Sequence, residues 1–152
     1  MKHRILKVGP AAIVSAIVFL VVSATPALHP QAATSIVTAK VAGARNSDGN
    51  LRIALRSAPE TIMQGKTVDI DANTMATTVV FEAVPHGTYD IAVIHDENKN
   101  GQLDFAETGM PLEGYGFSNN PAKRPGPPNF DESKFTLDQP AKSLEVELIY
   151  WP

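Results

Sequence analysis

The sequence predicts an all-β protein: a small antiparallel β-sandwich of immunoglobulin-like or transthyretin-like type, with about seven strands and one long ordered loop. Three observations predict it. Apolar residues recur at every second position in several separate segments, the period of a strand with one buried face. Clusters rich in Gly, Pro, Asn and Asp divide those segments. Only one stretch carries helix-start chemistry, and it is short.

The first segment, SIVTAKVAGA, places Val37, Ala39 and Val41 on one face and Thr38 and Lys40 on the other. The turn RNSDGN follows, and Asp48-Gly49 supplies the positive-φ chemistry of a tight hairpin. LRIALR then alternates, with Leu51, Ile53 and Leu55 inward and Arg52 and Arg56 outward, so these two segments are expected to pair. SAPETIMQG predicts a helical turn: Ser57 can cap it, Glu60 stands three residues later as in a capping box, and Pro59 suits a first turn. KTVDIDA reads as a short edge strand. TTVVFEAV presents Val79, Phe81 and Ala83 on one face. A turn at Pro85-His86-Gly87 leads into TYDIAVIHD, with Tyr89, Ile91 and Val93 together. The last segment, KSLEVELIYW, points Leu144, Val146, Leu148 and Tyr150 one way and Glu145 and Glu147 the other.

Between Gly109 and Ser133 the chain reads GMPLEGYGFSNNPAKRPGPPNFDES, and no strand of useful length is expected in it. Loops beyond about 15 residues tend to be functional or disordered. Tyr115, Phe117 and Phe130 predict an ordered one packed on the sandwich, since disordered tracts are poor in aromatics.

The beginning of the chain is set apart from the fold. Lys2, Arg4 and Lys7 precede an apolar stretch, and small residues follow at Ala24, Ala27 and Ala33, the pattern of a secretory signal peptide over 1–27 with cleavage as late as 33. A retained membrane anchor is the rival; Pro10 and Pro26 interrupt the stretch, and no basic stop-transfer cluster follows. The remainder, 34–152, suits a single β-sandwich domain with its own core. Export would place it in the periplasm or outside the cell, with no membrane insertion after cleavage.

Of the 13 basic and 16 acidic residues, the leader takes three bases and no acids, which leaves the rest near −6. A basic face for phosphates is lacking, so nucleic acid is excluded as an expected partner. The absence of cysteine excludes disulfides, thiolate metal sites and a lipidated cysteine.

The stretch HDENKNGQLDFAE follows the apolar run YDIAVI and fits the twelve-position calcium loop. Asp96, Asn98 and Asn100 take the first, third and fifth positions, and Gly101 permits the sharp turn. Gln102 offers its carbonyl, Asp104 takes the ninth position and Glu107 the closing one. Calcium wants six to eight oxygens at roughly 2.3–2.6 Å, and alternate residues of a curled loop supply them. Two asparagines lower the ligand charge, which predicts weak affinity, about 10⁻⁴–10⁻³ M. A strand enters the loop and Met110-Pro111 ends any exiting helix, so a switching EF-hand is not expected. The competing reading is an Asx-rich turn without metal.

His95 shares the face of Tyr89, Ile91 and Val93, and is either a base beside Asp96, a metal ligand or a structural histidine. Ser118 lacks the strand–elbow–helix setting of a hydrolase nucleophile. Glu82, Asp90, Glu145 and Glu147 read as solvated strand faces.

FEAVPHGTYDIAVIHDENKNGQLD, followed by GMPLEGYGFSNNPAKRPGPPNFDESKF, resembles the DUF2141 family, exported bacterial proteins catalogued as a domain of unknown function. TAKVAGARNSDGNLRIAL fits its opening hairpin. The resemblance implies export and a prealbumin-like β-sandwich, and implies no reaction. In that pattern the acidic turn extends through Asp104, which leaves Glu107 outside it.

The functional expectation is an exported, non-enzymatic binding or structural module with a calcium-stabilised loop. Its partner would be a glycan, a peptide or an envelope protein, met by Tyr115, Phe117, Asn119 and Asn120. The plainer alternative gives those aromatics the task of pinning the loop and those amides the task of satisfying its backbone. An envelope hydrolase using His95 with Asp96, or a metal-activated water, is the enzymatic alternative, and exposed strand edges would permit an assembly role.

Overall fold

The computed structural model describes residues 33–124 and 126–152, so the expected leader falls outside the described residues. Among the described residues, eight strands form two sheets. They are β1 (Thr34–Ala42), β2 (Asn50–Ala58), β3 (Thr61–Val68), β4 (Thr77–Pro85), β5 (Gly87–Asp96), β6 (Gly114–Phe117), β7 (Phe135–Leu137) and β8 (Ala141–Glu147). One four-residue helix, α1 (Phe130–Ser133), lies between β6 and β7. The first sheet has the order β4-β1-β8, and the second runs β3-β2-β5-β6, with β7 on the same edge of β5 as β6. All pairs are antiparallel except β1–β8, which runs parallel, so the expected antiparallel sandwich holds but for that pair.

The alternating faces do what alternation requires. Val37, Ala39, Val41, Val79, Phe81 and Val146 from the first sheet meet Leu51, Ile53, Leu55, Tyr89, Ile91 and Val93 from the second in one buried core. Leu148 joins it, and Leu144 and Tyr150 pack against it half-buried.

Four expectations about the backbone are corrected. The opening hairpin does not form: β1 pairs with β4 and β8 while β2 pairs with β3 and β5, so Asp48-Gly49 lies in a corner between sheets. Two segments with one buried face each can face one another across a core as well as pair edge to edge, and alternation does not distinguish the two. The helical turn at Ser57–Glu60 is a β-hairpin instead, because β2 continues through Ala58 and β3 begins at Thr61. Ala83 is exposed, not inward; its φ of 53° belongs to a bulge that opposes three steps of β4 to two of β1, and Val84 takes the core position. Finally, GYGF is strand β6, paired through Ala92↔Phe117 and Ile94↔Tyr115, where no strand was expected.

The outer edge of β5 is shared by β7, along Gly87–Tyr89, and β6, along Ala92–His95. The gap between them falls at Asp90 and Ile91, and side chains fill it. Ile91 N–H donates to Ser118 Oγ (2.8 Å), and Ser118 donates in turn to the Ser133 carbonyl (2.6 Å). Ser133 Oγ donates to Asp90 (2.7 Å), which is fully buried and holds the Arg56 guanidinium through two hydrogen bonds of 2.9 and 2.5 Å. Asp90 is therefore not a solvated strand residue; the segment from β6 to α1 covers it. Glu82, Glu145 and Glu147 are exposed as expected.

Candidate functional site

The strand β5 ends at Asp96, and the turn that follows is organised around that buried carboxylate. Asp96 Oδ1 accepts the Asn100 N–H (2.9 Å) and Oδ2 the Gly101 N–H (2.8 Å). Asn98 and Asn100 accept the N–H groups of Asn100 and Gln102, two residues on in each case, as Asx turns do. Their amide nitrogens converge on Asp104, at 2.6 Å from Asn98 and 2.9 and 3.0 Å from Asn100. Glu113, buried and distant in sequence, closes the loop by accepting the N–H groups of Glu97 (2.8 Å) and Asp104 (3.1 Å).

Five of the expected loop residues are thus brought together: Asp96, Asn98, Asn100, Gln102 and Asp104. Glu107 is not among them; it is exposed and makes no side-chain hydrogen bond among the described residues. Its closing place is taken by Glu113, which no twelve-position frame would reach. Among the described residues no group of three or more His, Cys, Asp or Glu side chains is arranged to hold a metal ion. The carboxamide N–H groups stand where a cation would otherwise meet Asp104.

His95 is buried at the mouth of the core. Its Nε2 lies 2.8 Å from the Asp48 carbonyl, which only accepts, so that nitrogen carries the hydrogen. In the neutral ring Nδ1 then accepts the Tyr150 hydroxyl proton, at 2.6 Å. Burial pushes the Tyr150 phenol above its ordinary range, while the Arg45 N–H that it accepts pulls the other way. Arg45 also lies 2.8 Å from Glu97 Oε1, a charge contact not aligned as a hydrogen bond. Both His95 nitrogens are engaged, the Asp96 oxygens accept backbone N–H groups, and Ser118 is locked between Ile91 and Ser133. Among the described residues the hydroxyl beside this histidine is that of Tyr150.

The Asn119 and Asn120 amides are used by the fold. Asn119 donates to the Lys134 carbonyl (2.8 Å); Asn120 accepts the Glu147 N–H (2.9 Å) and donates to the Glu145 carbonyl (3.2 Å). Tyr115 is buried, and its hydroxyl accepts from the Trp151 indole (2.9 Å). Phe117 is half-buried, packs edge-on to Tyr115 at 6.2 Å, and has the Arg56 guanidinium over its ring at 5.6 Å. Nearby, Arg124 pairs with Glu132 and holds that carboxyl below the usual range.

What the aromatics frame is a groove on the outer face of the second sheet. The register brings Gly65, Ala54, Ala92 and Phe117 into one row across β3, β2, β5 and β6. The neighbouring row is Thr67, Arg52, Ile94 and Tyr115. A row of glycine and alanines between larger side chains leaves a trough, about 14 Å long over three strand spacings. Its apolar end, of about 270 Å³, lies between Ile94, Leu103, Phe105, Pro111, Phe117 and Pro127. The adjoining stretch, of about 480 Å³, shares Arg56, Ala92 and Ile94 and adds Arg52, Ile62 and Lys66. Phe105 is 57 % exposed at the rim.

Sequence reasoning missed Ala54, Ala92, Ile94 and Phe105. A signal was present: in YDIAVIHD both faces of the strand are apolar, which a face open to water does not need.

The model of one protein family, described as an uncharacterized protein conserved in bacteria (DUF2141), matches residues 39–145. No curated protein and no solved structure gives a match.

Proposed function

The chain belongs to the DUF2141 family of uncharacterized bacterial proteins, and we propose that it is an exported, non-enzymatic β-sandwich that binds a partner in the groove over Ala54, Ala92 and Phe117. The observation that carries this reading is the apolar groove itself, with Phe105 exposed beside it. Covering that surface would remove apolar area from water at about 25 cal/mol per Å². The basic head, apolar middle and small-residue exit of residues 1–27 support export to the periplasm or beyond. The engagement of His95, Asp96 and Ser118 in structural hydrogen bonds supports a non-enzymatic role over the hydrolase alternative.

Nile red, a neutral apolar dye, tests the groove directly. One saturable site is expected, lost when Ala92→Leu fills the floor and weakened several-fold by Phe105→Ala, with the melting temperature of both variants unchanged. Dye binding that ignores both substitutions would remove the reading.

Calcium at the acidic turn is part of the same proposal, supported by the meeting of Asp96, Asn98, Asn100 and Asp104 in one loop. Binding would require the two amides to turn their oxygens toward the ion, with Glu107 remaining outside. At a dissociation constant of about 10⁻⁴–10⁻³ M, roughly 10 mM calcium adds about 1–3 kcal/mol. The expected result is a thermal midpoint several degrees higher after calcium is restored to chelated protein, and no such rise in Asp104→Asn. Coincident melts would leave the stretch a turn closed by its own amides.

A further inference from the structure

Resting on the groove reading above, we propose that the occupant is an anionic amphiphile of the free fatty acid type, its apolar chain on the alanine floor and its carboxylate at Arg52.

The floor decides the body of the ligand. The β2 backbone is paired on both sides, by β3 and β5, and the β5 backbone under the groove by β2 and β6. The backbone under Ala54 and Ala92 therefore offers no free N–H or C=O, and the side chains over it are Ala54, Ala92, Ile94 and Phe117. A peptide laid across it would lose water from amides that find no partner there. Sugar hydroxyls face the same loss. The amides of Asn119 and Asn120, which could have met them, are bound to backbone groups of Lys134, Glu145 and Glu147. An alkyl chain carries no such groups, and each of its methylenes gains by burial.

The rim decides the head. Arg56 is committed, its guanidinium bound to Asp90 and to the Pro59 carbonyl. Arg52 is exposed and makes no ion pair or side-chain hydrogen bond among the described residues, although it lines the groove beside Ile94. Lys66 stands opposite the inward Ile53 and its ammonium lies 6.0 Å from the Phe81 ring centroid, so its charge belongs to the other face of β3; Glu60 lines the groove beside Pro59. The uncommitted Arg52 guanidinium beside an apolar trough therefore favours an anionic head over a cationic one.

The test is displacement of Nile red from the site that Ala92→Leu removes, with decanoate and decyltrimethylammonium as probes of equal chain length, both below their micelle thresholds. Decanoate is expected to compete at least tenfold better than the cation, less so in high salt. Arg52→Gln should weaken decanoate about tenfold, leave the cation unchanged and leave the melt unchanged. Equal competition by the two probes, indifference to Arg52→Gln, or displacement by an acidic peptide but not by decanoate would each overturn the proposal while the dye site, and with it the binding-module reading, stood. Loss of a saturable dye site would overturn both.

Discussion

Asp90→Ala is expected to lower the free energy of unfolding by about 3–5 kcal/mol, the range for stripping one partner from a buried ion pair. Asp90 is fully buried, and its two oxygens hold Arg56 and the Ser133 hydroxyl. With the carboxylate gone, a guanidinium whose side chain is only 17 % exposed keeps its charge and loses its counter-ion. The damage does not stop at the pair. Ser133 holds α1 against β5, and its carbonyl receives Ser118, which in turn bridges the ladder gap at Ile91. The segment from β6 to α1 should loosen from the sheet, and the Phe117 wall of the groove with it. Urea unfolding read by circular dichroism checks the stability, and Nile red binding checks the groove. Removing the charge as well, in Asp90→Ala with Arg56→Met, should recover part of the loss, since the uncompensated charge is then absent. A single variant within 1 kcal/mol of the parent would show that the network is not a structural lock.

Gly49→Ala should be nearly as costly, about 4 kcal/mol, in the range reserved for backbone strain and overpacking. Gly49 has φ of +69°, where an L side chain is disfavoured by about 1–2 kcal/mol. A Cβ at that place would also overlap the Asp96 carbonyl oxygen and the Glu97 backbone. Neither can give way cheaply, because Asp96 anchors the acidic turn and pairs with Asn50 at the start of β2. The fitting control is Gly65→Ala in the edge strand β3, where an added Cβ meets nothing within 4 Å. That change is expected to be neutral or to stabilise by about 0.5–1 kcal/mol. If both substitutions behave alike in urea unfolding, the close approach at Gly49 is not what fixes the corner.

Gly49 also shows how far the sequence could be read. Asp48-Gly49 was legible as a positive-φ turn, and it is one. That the turn carries the chain from one sheet to the other, and not back along its own edge, was not legible, because the reason lies at Asp96, some fifty residues away. The acidic stretch divides in the same manner. Its Asx turns are local and were written in the spacing of Asp96, Asn98 and Asn100. Its closure by Glu113 depends on where β6 docks, which no spacing rule contains. At the groove, Tyr115 and Phe117 were found because aromatics in a glycine-rich loop stand out. Ala54, Ala92 and Ile94 were passed over because small residues declare a surface only when their neighbours across the strands are known.

The sequence by itself determined the fold class, the core faces of most strands, the alternation of the final segment and the acidic turn after β5. These follow from the period of apolar residues and from the turn chemistry of Gly, Asn and Asp, both of which act within a few residues. Only the tertiary structure decided which strands pair, that β8 lies parallel to β1, that Asp90 is buried against Arg56, and that the outer face of the second sheet carries an apolar groove. Those depend on cross-strand register, and register is set by the sum of contacts across the core, not by any one segment.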